Sequence, residues 1–283
     1  MTAISLDGKS LAAELAVELA SQVKELKNRG IAPGLGTILV GADPASEAYI
    51  AAKHRACEEV GVASIHAQLG DDVSTADVLE VVRQFNADLS VHAFIVQLPM
   101  PPQVDEEAVL LAMDPGKDAD GLHPVSLGKL VMGVDAPLPC TPRGIQMMLV
   151  HYGVEISGKH VVIVGRGLTI GRPLALLLAL KREHANAAVT VIHTGVGDLG
   201  AYTREADIVI AAAGRPSLIM PDMVRPGAAV VGAGITRDGR RIISDVDESV
   251  GEVAGWITPR LGGVGPMTVA MLLRNTVDAA ARQ

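Results

Sequence analysis

Segments with apolar residues at helical spacing alternate along the chain with short, uninterrupted apolar runs. Five apolar residues spaced three or four apart predict an amphipathic helix over about residues 9–29: Leu11, Leu15, Leu19, Val23 and Leu26. The runs that follow predict buried strands at 34–41, 64–69 and 91–98, with helices at 46–60 and 75–85. Because strands and helices alternate, this half of the chain is predicted to form a parallel sheet with right-handed crossovers.

A stretch rich in proline and glycine, residues 114–142, separates this half from the next. It carries apolar residues and no Ser/Gly repeat, so we interpret it as a functional loop region rather than a flexible linker. The second half is predicted to contain helices at 143–152, 172–184 and about 267–281, and strands at 160–164, 189–193, 207–213, 228–231 and 242–244. The pattern predicts an α/β protein of two lobes, with the last helix returning to the first lobe.

Three glycines follow the predicted strand 160–164 and precede a helix with Pro173 in its first turn. Gly165, Gly167 and Gly171 therefore stand in the strand–turn–helix order that a dinucleotide-phosphate site needs. Glycine lets the backbone approach a pyrophosphate closely, and the helix N-terminus directs its unpaired N–H groups at the anion. A tight turn that only packs the helix on the strand would show the same glycines. We favour the nucleotide site, which predicts a Rossmann-type second lobe.

Arg166 favours NADP over NAD as the cofactor. NAD sites usually end their second strand with an acid that bonds the ribose 2′-hydroxyl, whereas this chain has His193 and Thr194 at that point. The guanidinium of Arg166, aided by either residue, could hold a 2′-phosphate. The alternative is an arginine in an exposed loop that contacts only solvent.

Composition argues against several classes of function. Of the 283 residues, 49% are hydrophobic and 2% aromatic, and the net charge is −8; without a basic run or a stacking platform, nucleic-acid binding is not expected. The N-terminus has no apolar signal region, and the longest apolar run, 174–180, is too short to cross a bilayer. Cys57, Cys140 and the histidines lack metal-ligand spacing, so we expect no metal and two buried thiols in a reducing cytosol.

Side chains that could take part in catalysis also occur in the first half of the sequence. Tyr49 and Lys53 are four apart and share one face of the predicted helix. Gln97 ends the last predicted strand of this half, and ligands of open α/β sheets bind outside the carboxyl ends of strands. Asp118 and Asp120 lie in the loop region. Each also has an ordinary explanation: a solvated pair on a helix, a strand-end cap and two turn-forming acids.

Six motifs, in order along the chain, resemble the bifunctional methylenetetrahydrofolate dehydrogenase/methenyltetrahydrofolate cyclohydrolase family, commonly called FolD. The resemblance runs from about Leu6 to Ala281 and so covers nearly the whole chain. The segments that carry it are Tyr49-Ile50-Ala51-Ala52-Lys53, Val96-Gln97-Leu98-Pro99, Lys117-Asp118-Ala119-Asp120-Gly121-Leu122-His123-Pro124, Pro139-Cys140-Thr141-Pro142-Arg143-Gly144, Gly165-Arg166-Gly167 and Gly262-Gly263-Val264-Gly265-Pro266-Met267-Thr268.

The resemblance implies an architecture and a setting. It implies an α/β catalytic lobe and a Rossmann-type NADP-binding lobe with a cleft between them, a homodimer, and one-carbon folate chemistry in the cytoplasm. We expect residues 1–140, completed by the C-terminal helix 266–283, to form the folate-binding catalytic domain, and residues 141–265 to form the NADP-binding domain. The expected partner is a small-molecule folate, with no nucleic acid and no membrane.

The resemblance also implies roles for individual residues. Lys53 is the expected catalytic lysine, acting with Tyr49, Gln97 and Asp120, of which Gln97 bonds Lys53 and Asp120 holds the pterin edge. The expected substrate-binding residues are Tyr49, Gln97, Leu98, Pro99, Asp120, Gly262, Gly263 and Pro266. The expected cofactor-binding residues are Gly165, Arg166, Gly167, Gly171, His193, Thr194, Gly214 and Ile235. A lysine that is desolvated and faces a cationic substrate loses its proton near neutral pH, as the hydrolytic step requires.

The chain departs from the family pattern in several places. Arg55 replaces the second lysine of a K-x-K pattern, and Gly167 replaces a common serine. Gly232 and Ala233 stand where many members carry Asp and Val, and Leu261 stands where proline commonly precedes the Gly-Gly-Val-Gly-Pro motif. The expected catalytic lysine, glutamine and aspartate are all retained, so these changes bear on cofactor affinity and cleft geometry more than on the chemistry.

Three other functions fit parts of the sequence. A monofunctional dehydrogenase of the same family would be expected to lack Lys53, which is present. A non-catalytic NADP-binding module would be expected to lose the lysine–glutamine–aspartate set, which is retained. Another two-lobed dehydrogenase, of the shikimate or amino-acid type, would not require Asp120-Gly121 and the 262–268 segment together. The NADP-dependent bifunctional enzyme is therefore the leading hypothesis.

Overall fold

The computed structural model describes residues 3–41, 44–238 and 241–282, without the side chains of residues 44–49, 237, 238 and 241. The chain divides into two compact units. The three-stranded unit comprises residues 13–140 and 269–283, and the six-stranded unit comprises residues 1–12 and 141–268. The first twelve residues, which the sequence analysis assigned to the first domain, thus belong with the six-stranded unit.

The predicted alternation of strands and helices is confirmed. In chain order the strands are β1 (Ile4–Ser5), β2 (Gly34–Val40), β3 (Ala63–Leu69), β4 (Ala93–Val96), β5 (His160–Val164), β6 (Ala188–Ile192), β7 (Ile208–Ala211), β8 (Ala229–Gly232), β9 (Ile235–Asp238), β10 (Arg241–Ser244) and β11 (Trp256–Ile257). The α-helices are α1 (Gly8–Asn28), α2 (Pro44–Val60), α3 (Thr75–Ala87), α4 (Glu106–Leu111), α5 (Pro124–Met132), α6 (Cys140–His151), α7 (Gly171–Ala179), α8 (Gly200–Thr203) and α9 (Val264–Ala281). Within the described ranges, none of these helices combines the length and apolar character needed to cross a membrane.

The three-stranded unit is built on a parallel sheet in the order β3-β2-β4. Its central strand β2 is apolar in sequence, and every residue of it is buried. Helix α3 begins at a capping box formed by Ser74 and Asp77 and contributes Val78, Val82 and Phe85 to the core that it shares with β2 and β4. Because all three strands run in one direction, their carboxyl ends lie along one edge of the sheet.

The six-stranded unit has a parallel sheet in the order β1-β11-β8-β7-β5-β6. Strand β5 lies between β6 and β7, so the chain leaves β5 toward one side of the sheet and later returns on the other. The carboxyl end of β5 is therefore the point where the strand order reverses, which is where open α/β sheets bind their ligands. Strands β5 and β7 are buried almost throughout, and they give the sheet its apolar interior.

Two predicted elements differ from the structure. Residues 114–142, interpreted as a loop region, contain α5, which has proline in its first turn and ends at Gly133 with a left-handed φ of 68°. The helix predicted over 172–184 ends at Ala179, because Leu180 is extended with a ψ of 135°. The remaining predicted elements are present with ends shifted by a few residues.

Candidate active site

A buried lysine and a glutamine meet at the carboxyl end of β4. Lys53, on α2, is only 5% exposed, and its Nζ donates a hydrogen bond of 3.1 Å to Oε1 of Gln97. Gln97 directly follows β4; its backbone N–H donates to the carbonyl oxygen of Ile38, and its Nε2 donates to that of Leu98 at 2.8 Å. Since the amide nitrogen is engaged in this way, the amide oxygen is the atom that faces Lys53.

The surroundings of Lys53 favour its neutral form. Burial lowers the pKa of Lys53, and the negative charge of Asp120 is the main influence that opposes this shift. Burial likewise raises the pKa of the half-buried Asp120; the ammonium of Lys53 opposes this rise and Asp118 adds to it. Lys53 therefore loses its proton more readily than an exposed lysine, and the carboxyl group of Asp120 keeps its proton more strongly than an exposed aspartic acid.

Asp118 shapes the loop that carries Asp120. Its Oδ1 accepts hydrogen bonds from the backbone N–H groups of Gly121 at 2.9 Å and Leu122 at 3.3 Å, and its Oδ2 accepts one from His123 at 2.9 Å. Among the described residues, none donates a hydrogen bond to the carboxylate of Asp120. The side chain of Asp118 is thus bonded to the backbone of its own loop, which distinguishes it from that of Asp120.

The backbone around Asp120 is tied to its neighbours on both sides. Ala119 donates its N–H to the carbonyl oxygen of Phe94, which places the loop beside β4, and Cys140 donates its N–H to the carbonyl oxygen of Asp120 at 3.1 Å. Asn275, a buried residue of α9, donates from Nδ2 to the carbonyl oxygens of Ala119 and Leu138, both at 2.9 Å. These contacts hold Asp120 in place through its main chain.

Lys117 fixes the start of the same loop. Its buried Nζ donates to the carbonyl oxygens of Phe85 at 2.9 Å and Asp88 at 2.8 Å, at the C-terminal end of α3. Burial lowers the pKa of Lys117, opposed by the charges of Asp114 and Asp88. This lysine occupies the place of a helix C-cap and its ammonium suits the negative end of the helix dipole.

The glycine turn after β5 needs its glycines for two close backbone contacts. Gly165 has a φ of 143°, and a Cβ on it would lie 2.1 Å from the carbonyl oxygen of Ala212. A Cβ on Gly171 would lie 2.1 Å from the carbonyl oxygen of Gly165, whereas one on Gly167 would meet no atom within 4 Å. Arg166 and Gly167 are exposed. Gly165 and Gly171 are therefore needed for close packing of the turn on protein backbone, whereas the backbone at Gly167 is open to solvent.

The other predicted cofactor residues also belong to the six-stranded unit. His193 and Thr194 follow β6, where His193 is half-buried and Thr194 exposed. Gly214 follows β7 with a φ of 65°, and Ile235 begins β9 with 52% of its surface exposed. Because β6 and β7 flank β5, His193, Thr194 and Gly214 lie after strands whose carboxyl ends adjoin the glycine turn, whereas Ile235 follows β8, one strand further along the sheet.

The predicted substrate residues fall in both units. Leu98 and Pro99, joined by a cis peptide bond, directly follow Gln97 in the three-stranded unit. Gly262, Gly263 and Pro266 lie in the six-stranded unit at the start of α9. Tyr49 lies in α2, and its side chain is outside the described part of the structure.

Both cysteines are buried thiols that form no disulfide, as the sequence pattern predicted. Burial raises the pKa of Cys57 to about 11, which keeps this thiol protonated and unreactive. Within the described ranges, no group of three or more His, Cys, Asp or Glu side chains is arranged to hold a metal ion.

Two family models match the chain. The catalytic domain of tetrahydrofolate dehydrogenase/cyclohydrolase matches residues 6–120, and the NAD(P)-binding domain of the same enzymes matches residues 139–283. The chain belongs to the tetrahydrofolate dehydrogenase/cyclohydrolase family. The family predicted from the sequence motifs is thereby confirmed.

Relatives of this dehydrogenase/cyclohydrolase match over nearly their full length. The bifunctional protein FolD of Syntrophotalea carbinolica is 57% identical over 280 residues, covering 99% of this chain and 97% of the relative. The crystal structure of bifunctional FolD from Campylobacter jejuni is 42% identical, with 98% of each chain covered and a TM-score of 0.94. FolD from Trypanosoma brucei, complexed with NADP and an inhibitor, is 36% identical, with 100% of this chain and 98% of that chain covered and a TM-score of 0.95.

The departures of this dehydrogenase/cyclohydrolase from the family pattern are accommodated locally. Arg55 is exposed on α2, and the open space around Gly167 leaves room for the serine that it replaces. Leu261 is 58% exposed; the preceding Arg260 is held by Glu248 Oε1 at 3.0 Å and by the carbonyl oxygen of Ile242. Arg260 thus restrains a segment that lacks the usual proline.

Gly232, at the end of β8, is accommodated by the side chain of Ser244, at the end of β10. A Cβ on Gly232 would lie 2.4 Å from Ser244 Oγ, and the N–H of Gly232 donates to Thr258 Oγ1 at 2.8 Å. Ser244 Oγ in turn accepts a hydrogen bond of 3.1 Å from the N–H of Val246. The hydroxyl of Ser244 thus occupies the volume that a side chain at position 232 would fill.

Several residues that support the site are not marked by any pattern in the sequence. Asn275, Lys117 and Asp245 act through hydrogen bonds to backbone groups at least 29 residues away in sequence. No local pattern marks such contacts. Only the Lys117–Gly121 motif placed Lys117 near chemically important residues, and that signal gave no role for its side chain.

Proposed function

We propose that this enzyme oxidises 5,10-methylenetetrahydrofolate to 5,10-methenyltetrahydrofolate with NADP and then hydrolyses that product to 10-formyltetrahydrofolate, with Lys53 as the proton acceptor of the second step. The observation that carries the proposal is the buried Lys53 amine, which has a lowered pKa, bonds Gln97 Oε1 and lies within electrostatic reach of Asp120. A neutral partner such as Gln97 orients the amine without restoring its charge.

The hydrolytic step needs one group that takes a proton from water. As a water oxygen bonds to the methenyl carbon, the neutral amine of Lys53 accepts one of its protons. The carbon–nitrogen bond of the ring then breaks, and the second proton of the water passes to the leaving nitrogen as the formyl C=O forms. An ammonium at Lys53 could not begin this sequence, which is why its lowered pKa supports the role.

Asp120 is proposed to hold the pterin edge. A pterin presents a ring N–H and an exocyclic amino group side by side, and a single carboxylate can accept both. The Asp120 carboxylate has no donor among the described side chains, and its main-chain carbonyl oxygen is held by the N–H of Cys140. Tyr49, Gln97, Leu98, Pro99, Gly262, Gly263 and Pro266 are the proposed remaining contacts of the folate.

The glycine turn fits a dinucleotide, which supplies the hydride acceptor when bound. Gly165, Gly167 and Gly171 are proposed to form the pyrophosphate site at the N-terminus of α7: Gly165 and Gly171 allow the tight turn, and Gly167 leaves open backbone for the phosphates. Arg166, with His193 or Thr194, is proposed to bind the 2′-phosphate. Gly214 and Ile235 are proposed to contact the other half of the cofactor. Hydride transfer requires mainly this placement, so the protein's part is orientation.

The functional division of the chain is also a proposal. We assign folate binding to residues 1–140 with helix 266–283, of which residues 1–12 and 266–268 pack in the six-stranded unit, NADP binding to residues 141–265, and a cytoplasmic location to the enzyme. A homodimer is supported by β3, an edge strand of the three-stranded sheet whose residues are all at least partly exposed. An open edge strand of this kind is a ready site for pairing with a second chain.

A spectrophotometric assay with 5,10-methylenetetrahydrofolate, run separately with NADP and NAD, tests the function. Reduced NADP together with a methenyl absorbance that decays faster than in buffer is the expected result. Lys53→Met should slow the enzymatic decay by about 10²-fold or more while NADP still binds. The exposed Lys24→Met serves as the control. Methenyl decay at the buffer rate in the wild-type protein would reduce the assignment to a monofunctional dehydrogenase.

A further inference from the structure

Asp245 is a fully buried acid whose carboxylate is surrounded by backbone donors. Its Oδ2 accepts hydrogen bonds from the N–H groups of Ala213 at 2.7 Å and Gly214 at 2.8 Å, and its Oδ1 accepts one from Arg215 at 2.7 Å. Bonds of this length to an ionised acceptor are among the stronger ones in proteins. The three consecutive backbone N–H groups of residues 213–215 are thus bonded to one side chain, that of Asp245, which directly follows β10.

Successive N–H groups that converge in this way form an anion-binding nest. In this chain the anion is a carboxylate of the protein itself. Gly234 leaves the room for it, because a Cβ at that position would lie 2.0 Å from Asp245 Oδ2. A second contact holds the loop of residues 213–215, because Thr236 Oγ1 donates a hydrogen bond of 3.0 Å to the backbone carbonyl oxygen of Gly214.

The loop 213–215 adjoins the glycine turn. It follows β7, which lies next to β5 in the sheet, and the carbonyl oxygen of Ala212 is the atom against which Gly165 packs. The proposed 2′-phosphate contacts follow β6, on the opposite side of β5. A dinucleotide whose pyrophosphate lies on the turn and whose adenosine half lies toward β6 must extend its nicotinamide half toward β7.

We propose that Asp245 is a positioning residue for the nicotinamide half of the cofactor. By occupying the nest at residues 213–215, its carboxylate fixes Gly214 and Arg215 and withholds these N–H groups from the cofactor phosphates, which are left to the glycine turn. The inference rests on the proposed function, because it assumes that NADP binds at this edge of the six-stranded sheet.

Asp245→Asn tests the inference. The amide NH₂ of asparagine is a donor, so it cannot accept hydrogen bonds from all three of the N–H groups that the carboxylate binds. The expected result is a rise of about tenfold or more in KM for NADP, with an unchanged KM for methylenetetrahydrofolate. Hydrolysis of supplied 5,10-methenyltetrahydrofolate without NADP should stay at the wild-type rate, which shows that the protein is folded. Asp207→Asn is the matched control: Asp207 also accepts a hydrogen bond from a backbone N–H, that of His160 at 2.8 Å, but it precedes β7, at the opposite end of that strand from the loop 213–215.

Several outcomes would overturn the inference. One is an unchanged KM for NADP in folded Asp245→Asn; another is an equal loss in the NADP-free hydrolysis, which would indicate a general structural role. If Asp245→Asn does not fold, Thr236→Val gives the answer, because it removes only the bond to Gly214: KM for NADP should rise about threefold, and no change would refute the inference. Failure of the proposed function is distinguishable, since the wild-type protein itself would then not reduce NADP.

Discussion

Asn275 on α9 donates a hydrogen bond of 2.9 Å to the carbonyl oxygen of Ala119, the residue before Asp120. The two residues lie 156 positions apart in the chain, and both are buried. The C-terminal helix therefore fixes the main chain of the residue proposed to bind the pterin.

Asn275→Asp should weaken folate binding specifically. An ionised carboxylate has no hydrogen to donate, so the carbonyl oxygens of Ala119 and Leu138 would face an acceptor and the loop of Asp120 would shift. We expect KM for methylenetetrahydrofolate to rise about tenfold, with KM for NADP unchanged. Thr276→Val is the control, since Thr276 bonds only the carbonyl of Leu272 within its own helix. Equal changes in both KM values would contradict the assignment.

Gln97→Glu should move the pH dependence of hydrolysis. Lys53 must be neutral to accept a proton, so activity is lost as pH falls through its lowered pKa. A carboxylate in place of Gln97 Oε1 would stabilise the ammonium, raise that pKa and move the rising limb of the rate to higher pH by about one pH unit. Gln68→Glu, on exposed β3, adds the same charge away from Lys53. If the rising limb of the rate lies at the same pH in Gln97→Glu as in the wild-type protein, Lys53 is not the titrating base.

Lys117→Met should destabilise the three-stranded unit. It leaves the carbonyl oxygens of Phe85 and Asp88 without their buried donor, at a cost of about 1–3 kcal/mol in the free energy of unfolding. Urea denaturation followed by circular dichroism measures the loss. The comparison variant is Lys159→Met, which removes a surface ion pair with Glu155 and should cost at most about 1 kcal/mol. Similar losses in the two variants would argue that Lys117 is not a cap.

Arg166→Ala should change the choice of cofactor. If the exposed guanidinium binds a 2′-phosphate, its removal should raise KM for NADP about tenfold or more and leave KM for NAD nearly unchanged. The exposed Arg182→Ala, beyond the end of α7, controls for the loss of one positive charge from the same unit. A parallel rise in both constants would mean that Arg166 does not contact the 2′-phosphate.

The sequence predicted the elements whose patterns are long and regular. The apolar runs of β2 and β5 and the helical spacing in α1 were sufficient, because buried parallel strands and amphipathic helices have distinct periods. It missed α5, whose proline and glycine lie in a stretch that resembles a loop. Strands β1 and β11, of two residues each, are defined only by their pairing with partners far away in the chain.

Within the site, local sequence did not separate residues of the same type. Asp118 and Asp120 are equivalent as loop acids in sequence, and the structure distinguishes them by the three N–H groups that Asp118 accepts. Asp245 was not identified because its partners lie about 30 positions earlier in the chain. Hydrogen bonds of this kind depend on the completed fold, so no periodicity records them.

The contact between Gly232 and Ser244 has an evolutionary consequence. An aspartate introduced at position 232 would collide with the serine hydroxyl unless that hydroxyl turned away from the N–H of Val246. We therefore expect Gly232→Asp alone to destabilise the protein, whereas the paired exchange with Ser244→Gly removes the obstructing atom. The effect of a substitution at position 232 therefore depends on the residue at position 244. A survey of single substitutions would classify Gly232→Asp as harmful, although the double substitution avoids the collision.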